Sequence, residues 1–161
     1  MTALIHYNMA TYFSNAGCNA SNWANASRPE SFAPTLLDTD NWAASLQALG
    51  VPTALLTAKH GCGFALWPTT ATLPDGSPYG YSVPADLNVV RRFADSMERH
   101  GIGHGLYYSW SMSYFLNVKD SISWQRWNEP PLPGQHNVSR AEYEAILLHQ
   151  TEELFSQCVQ L

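Results

Sequence analysis

Residues 56–68 have the sequence LTAKHGCGFALWP, in which a short apolar run leads directly into a lysine, a histidine and a glycine-rich turn. The run is typical of a buried β-strand, and it places Lys59 and His60 where that strand ends. In parallel α/β folds, the loops that leave the carboxyl ends of strands carry the chemistry. Histidine can donate to and accept from hydroxyl groups, and Phe64 and Trp67 offer flat apolar faces. This pattern predicts a site for a small, hydroxyl-rich molecule.

Strands and helices alternate along the chain. The sequence predicts strands from Thr2 to His6, Thr53 to Lys59 and Gly103 to Tyr108. The first predicted helix begins at the N-cap Asp40 and ends at Gly50, with one face formed by Trp42, Leu46 and Leu49. The second runs from Asp86 to His100, with a stripe of Leu87, Val90, Ala94 and Met97. The third opens with the capping box of residues 139–142 and buries Tyr143, Ile146, Leu147, Leu154 and Cys158.

Three strand-helix units predict an α/β fold with a parallel sheet and right-handed crossovers. The length of 161 residues and the 45% hydrophobic content favour one domain over residues 1–161, without a second domain. A (β/α)8 barrel has eight strand-helix units and takes about 250 residues or more, so barrel sequence with three units would be less than half of one. A three-layer α/β sandwich is the alternative.

Charge and hydropathy exclude several partners. The net charge is -5, and the eight lysines and arginines are scattered, which argues against nucleic acid. No apolar run approaches the roughly 20 residues that span a bilayer, so no membrane partner is expected. The segment Met1 to Asn8 is strand-like and shows no signal-peptide pattern. Three acceptor tripeptides for N-glycosylation nevertheless favour a protein of the secretory pathway: Asn19-Ala20-Ser21, Asn25-Ala26-Ser27 and Asn137-Val138-Ser139.

The three cysteines are too few and too far apart for a disulfide scaffold or a cysteine-rich zinc site. Cys158 is expected as a buried free thiol. Cys62 lies beside His60 and has the form of a Cys-His nucleophile pair or half a metal site, but no third group stands at a recognisable spacing. We therefore expect no metal and no cofactor.

The loop after the third strand spans almost thirty residues, which marks it as functional or poorly ordered. It is rich in aromatic residues: Trp110, Tyr114, Phe115, Trp124 and Trp127. Trp124 and Trp127 have two interpretations, an aromatic platform for a glycan or packing in the core or loop. We take packing as the default interpretation.

Four segments in the same order resemble the amino-terminal part of the α-L-fucosidases, retaining enzymes of glycoside hydrolase family 29. They are Ile5-His6-Tyr7-Asn8-Met9-Ala10, Asp38-Thr39-Asp40-Asn41-Trp42, residues 59–68 and Gly105-Leu106-Tyr107-Tyr108-Ser109. The resemblance covers nearly the whole chain. It implies the first three units of a (β/α)8-type barrel, whose known members continue into a β-sandwich domain.

The resemblance also implies residue roles. In the family, two histidines at strand ends and one tyrosine contact the hydroxyls of fucose. The matching residues in this chain are His6, His60 and Tyr107. Trp67 matches a Leu-Trp-Pro element, which we interpret first as loop packing and also as a substrate-binding candidate. Many members have a second histidine and then an acidic residue where this chain has Gly61 and Cys62, which places one hydroxyl contact in question.

In the family, the nucleophilic aspartate follows a tryptophan on the next strand, and the acid/base lies further on; both are expected beyond Leu161. No catalytic residue is therefore assigned within the chain, which is expected to be catalytically incomplete alone. The resemblance implies fucosylated glycans or glycosides as partners. We also expect the chain to self-associate through an exposed barrel edge. The resemblance implies an extracellular or lysosomal location. A non-catalytic carbohydrate-binding relic and a non-functional gene fragment are the alternatives.

Overall fold

The computed structural model describes residues 1–13, 17–119 and 130–158. Its centre is a parallel sheet of three strands in the order β1-β2-β3, with β1 at Thr2–Ile5, β2 at Thr53–Lys59 and β3 at Gly103–Tyr108. Thr2 lies opposite Thr53, which lies opposite Gly103. The predicted parallel α/β sheet is confirmed, although β1 ends one residue before His6. An open sheet of this kind is consistent with part of a barrel.

In the part of the chain that the structure describes, four α-helices and three short 3₁₀ turns connect and cover these strands. The helices are α1 at Trp23–Ala26, α2 at Thr39–Ala48, α3 at Val89–Arg99 and α4 at Arg140–Cys158. The 3₁₀ turns are Met9–Tyr12, Pro29–Ser31 and Ala85–Leu87. Within the described residues, no helix is long and apolar enough to cross a membrane.

The beginning of α2 corrects the predicted N-cap. Asp38, not Asp40, caps this helix, because its carboxylate accepts from the backbone N–H of Asn41 at 2.9 Å. Asp40 lies in the first turn and instead pairs with Arg99 on α3 at 2.9 Å. Thr39 and Ala43 of α2 are buried. Of the predicted face, Trp42 and Leu46 are partly buried against the core, whereas Leu49 is exposed.

The beginning of α3 is also later than predicted. Residues 85–87 form a 3₁₀ turn, and Asn88 then caps α3 by accepting from the backbone N–H of Arg91 at 3.0 Å. The extended backbone of Asn88 separates the 3₁₀ turn from the helix, and its side chain satisfies one of the free N–H groups at the start of α3. Of the predicted stripe, Val90, Ala94 and Met97 are buried.

The beginning of α4 agrees with its sequence signature. The Glu142 carboxylate accepts from the backbone N–H of Ser139 at 2.7 Å, and the Ser139 hydroxyl accepts from the N–H of Glu142 at 3.3 Å. Buried residues along the helix include Tyr143, Ile146, Leu147 and Leu154. The side chain of Cys158 lies outside the described part, so its predicted burial is not tested.

The described parts of the long loop pack into the core. Tyr114 and Phe115 are buried, and the Phe115 ring stacks on Tyr81 at 4.7 Å between centroids. Val118 forms a parallel bridge with Val138, which brings the two ends of the loop together. Trp124 and Trp127 lie outside the described residues.

Candidate functional site

Three of the residues that the sequence singles out meet at one end of the sheet. The ring centroids of His6 and His60 are 5.3 Å apart, those of His60 and Tyr107 are 5.8 Å apart, and those of His6 and Tyr107 are 6.3 Å apart. We call these three side chains the rim cluster. The predicted convergence of His6, His60 and Tyr107 at one rim is confirmed.

The strand register explains why these residues meet. His6 follows β1 directly, His60 follows β2 directly, and Tyr107 lies opposite Thr57 near the end of β3. Since the strands are parallel and in line, their carboxyl ends share one edge of the sheet. Side chains at matching heights therefore come together from segments that are distant in the sequence.

The rim cluster is open to solvent. His6 and Tyr107 are exposed and His60 is half-buried. Partial burial lowers the pKa of the His60 imidazole, and its electrostatic interactions with His6 and Lys59 lower it further. A neutral imidazole presents one donor and one acceptor nitrogen, which suits a hydroxyl group that also both donates and accepts.

Lys59 does not share the environment of His60. Its side chain is fully buried, its ammonium donates to the carbonyl oxygen of Ser109 at 3.0 Å, and it lies 4.2 Å from the centroid of the Tyr108 ring. Desolvation lowers the pKa of Lys59 to about 7. The contact to Ser109 ties the end of β2 to the residue that follows β3, so Lys59 supports the edge on which the rim cluster lies.

Trp67 is placed apart from the rim cluster. It is 1% exposed, and its indole N–H donates to the Glu153 carboxylate of α4 at 2.9 Å. The same carboxylate accepts from the hydroxyls of Thr69 at 2.6 Å and Thr70 at 2.7 Å. These bonds fasten the loop after β2 to α4 and agree with a packing role. In the sequence, Glu153 is one of several acidic residues on the last predicted helix, so no local pattern indicates these contacts.

Cys62 forms a disulfide with Cys18, which corrects the expectation that the cysteines do not pair in a structural bridge. Their Cα atoms are 5.0 Å apart, and both residues are buried. Because a nucleophile or a metal ligand must be a free thiolate, the bridge removes the Cys-His and metal interpretations of Cys62. The signal that sequence reasoning missed is that the two cysteines follow neighbouring strands at the same end of the sheet.

Among the described residues, no group of three or more His, Cys, Asp or Glu side chains is arranged to hold a metal ion. Three of the acidic side chains that the structure describes form ion pairs elsewhere: Asp95 pairs with Arg91, Glu144 with Arg140, and Asp40 with Arg99. The electrostatic neighbours of His60 are His6 and Lys59. As the structure describes it, the rim cluster consists of two imidazoles and a phenol, groups that can each donate to and accept from a hydroxyl.

An apolar groove of about 540 Å³ adjoins the rim cluster along the free side of β3. Its lining includes Tyr107, Trp110, Leu154 and Phe155. Trp110 is 55% exposed and Phe155 is 66% exposed. Tyr107 thus faces both the rim and this groove.

Comparison with known proteins gives one consistent result. The family model for "Alpha-L-fucosidase" matches residues 4–159. "Alpha-L-fucosidase 1" of Arabidopsis thaliana is 31% identical over 116 residues, which are 68% of this chain and 20% of that protein. The chain spans between 16% and 20% of the length of the curated relatives that it matches.

Two solved structures show how far the similarity extends in space. The crystal structure of a glycoside hydrolase 29 family member from an unknown rumen bacterium is 28% identical, with a TM-score of 0.67. The match covers 96% of this chain and 23% of that one. The α-L-fucosidase from Vibrio sp. strain EJY3 has a TM-score of 0.71 at 23% identity, over 99% of this chain and 29% of that one, and supports the fold alone.

Proposed function

Because the chain belongs to the α-L-fucosidase family, we propose that it forms the amino-terminal part of a retaining glycosidase that removes terminal α-L-fucose from glycoconjugates. The observation that carries the proposal is the convergence of His6, His60 and Tyr107 from three successive strands. The parent protein would be a glycosidase with a (β/α)8-type barrel, of which this chain supplies three units.

The rim cluster suits a deoxy sugar in its chemistry. Two imidazoles and a phenol can donate to and accept from neighbouring hydroxyls on one side of a sugar ring. The Tyr107 ring also offers an apolar face to the C–H surface and the methyl group of fucose. His6, His60 and Tyr107 are therefore assigned to substrate binding, and Trp67 is assigned to the loop that supports them.

The chemical step needs groups that the rim cluster does not have. A retaining glycosidase uses two carboxyl groups about 5–5.5 Å apart, one as the nucleophile and one as the acid/base. Several described acidic residues have structural roles instead, such as Asp38 at the start of α2 and Glu142 at the start of α4. We therefore assign both catalytic roles to residues outside this 161-residue sequence.

A non-catalytic carbohydrate-binding module is the second candidate. The observation that favours it is that three side chains able to bind hydroxyls converge at the rim, although no acidic group is among the neighbours that lower the pKa of His60. In that case the chain alone would bind fucosylated glycans through the same three residues, and it would have no hydrolytic role.

The purified chain provides the test. It should release no nitrophenol above background from a nitrophenyl α-L-fucoside, because both catalytic carboxyl groups are assigned outside the sequence. General acid-base catalysis alone accelerates such a reaction by about 100- to 10,000-fold. The His60→Ala variant is the matched control. Turnover by the chain that disappears in His60→Ala would show that one of its own acidic residues reaches the rim, which contradicts the proposal.

A further inference from the structure

The asparagines of the three acceptor tripeptides share one property in the fold. Asn19, Asn25 and Asn137 are all exposed. The buried asparagines Asn8 and Asn117 are instead followed by Met-Ala and Val-Lys, which are not acceptor sequences. A bulky, hydrated glycan is compatible with folding only where the asparagine faces solvent. The acceptor sequences thus coincide with the positions where the fold has room for a glycan.

At two of these sites, the hydrogen bonds that the structure describes for the asparagine side chain use its carboxamide oxygen. Asn19 Oδ1 accepts from the backbone N–H of Ser21 at 2.9 Å and from its hydroxyl at 2.6 Å. Asn137 Oδ1 accepts from the Nδ2 group of Asn117. A glycan is attached to Nδ2 and leaves the amide oxygen in place. Modification would therefore preserve these bonds.

The Cys18–Cys62 disulfide points independently to the same compartment. Cys18 directly precedes Asn19, and the bridge joins two buried sulfurs. Disulfides of this kind form and persist in oxidising compartments such as the lumen of the endoplasmic reticulum. Transfer of N-linked glycans takes place in that same lumen.

We propose that Asn19, Asn25 and Asn137 are N-glycosylated and that the chain forms its disulfide in the oxidising lumen of the secretory pathway. The donor is an oligosaccharide linked through pyrophosphate to a polyprenyl lipid. The Asn Nδ2 forms a bond to the first sugar carbon, the bond from that carbon to the pyrophosphate oxygen breaks, and Nδ2 loses one proton. The lipid pyrophosphate is the leaving group. The glycan transfer involves no redox step. The bridge forms by thiol–disulfide exchange, in which the Cys18 and Cys62 thiols lose two protons and two electrons, and a disulfide of a lumenal oxidoreductase accepts them and becomes a dithiol.

The test is cell-free translation of the full chain behind a cleavable signal peptide, with endoplasmic reticulum microsomes present. Import is judged by protection from added protease. The imported chain should show three mobility steps that an endoglycosidase removes. Each of Asn19→Asp, Asn25→Asp and Asn137→Asp should lose one step, because aspartate keeps the accepting oxygen and lacks Nδ2.

A matched pair at Ser21 controls for the acceptor sequence itself. Ser21→Thr should keep the Asn19 step, whereas Ser21→Ala should remove it. An imported chain without mobility steps would overturn the proposal, as would steps that persist in the triple aspartate variant. A single variant that loses no step would overturn the assignment of its asparagine. Free Cys18 and Cys62 thiols in the imported chain would overturn the assignment of the compartment.

Discussion

At the scale of single residues, Lys59 and His60 are neighbours in the sequence and lie in different environments. His60 faces the rim cluster, whereas Lys59 is buried beside Tyr108 and Tyr143. An irregularity in the pairing of β2 with β3 falls between Thr57 and Lys59, just before the two residues diverge. The sequence predicts a polar pair at a strand end. It cannot predict the burial of Lys59, because that depends on Tyr143 of α4, which lies far along the chain.

The buried ammonium gives the first prediction. The pKa of Lys59 is lowered from 10.5 to about 7 by desolvation, so above pH 7 the unfolded chain binds more protons at this residue than the folded chain does. The free energy of unfolding should therefore rise with pH from 7.5 to 9, with a contribution of at most about 1.4 kcal/mol per pH unit. Above this window, the raised pKa values of buried Tyr81 and Tyr108 act in the opposite direction.

Urea unfolding at several pH values in this window measures the effect. The Lys59→Met variant keeps a side chain of similar length without the titrating group, and it should lose this part of the pH dependence. Equal slopes for the wild-type chain and Lys59→Met would show that the ammonium stays charged in the folded state.

At the scale of elements, the loops after β1 and β2 determine the position of the rim cluster. The disulfide joins these loops near His60, and Glu153 of α4 holds residues Trp67, Thr69 and Thr70. Gly63 adopts a φ of +92°, and a Cβ atom there would lie 2.5 Å from Ser113 Oγ. The turn that follows His60 therefore needs a glycine both for its backbone angle and for space.

Local sequence signals predicted some elements better than others. The capping box of α4 is unambiguous because Ser139 and Glu142 satisfy each other within one turn. The start of α2 is ambiguous because Asp38 and Asp40 are both good caps, and the contacts of Asp40 to Arg99 and His100 on α3 show which role it takes. Tertiary contacts of this kind, like the disulfide and the Glu153 contacts, are not readable from local patterns.

The second prediction concerns the disulfide. The double variant Cys18→Ala/Cys62→Ala should lose roughly 2–4 kcal/mol of unfolding free energy, since the bridge constrains the unfolded chain between residues 44 positions apart. Chemical denaturation measures the loss. The Cys158→Ala variant, which retains the bridge, serves as the control. If the unfolding free energy of the double variant lies within about 0.5 kcal/mol of that of the wild-type chain, the bridge contributes little to stability.

At the scale of the whole molecule, the sheet is open on both sides. β1 and β3 each have one edge that no described strand covers. Leu4 on β1 and Tyr107 on β3 are exposed, and Trp110 and Phe155 extend the apolar surface beside β3. Unpaired strand edges and contiguous apolar surface favour association with other chains.

The third prediction follows from these edges. The isolated chain should self-associate as its concentration rises, which sedimentation velocity measures directly. A charged substitution on the groove, Phe155→Lys, should reduce the association, whereas Leu36→Lys, an exposed position away from the sheet edges, should not. A chain that stays monomeric over the whole concentration range and unfolds cooperatively would contradict this prediction.

The central claim is that His6, His60 and Tyr107 form part of a fucose subsite, and the histidine imidazole signals in an NMR titration with L-fucose test it most directly. The His6 and His60 signals should shift saturably with L-fucose and far less with its mirror image D-fucose, while the signal of His100, which pairs with Asp40 on another face, should not move. The His60→Ala variant should bind roughly two- to ten-fold more weakly, as the loss of one hydrogen bond requires. If neither rim histidine responds to L-fucose, or if both respond equally to the two enantiomers, the rim cluster is not a fucose subsite.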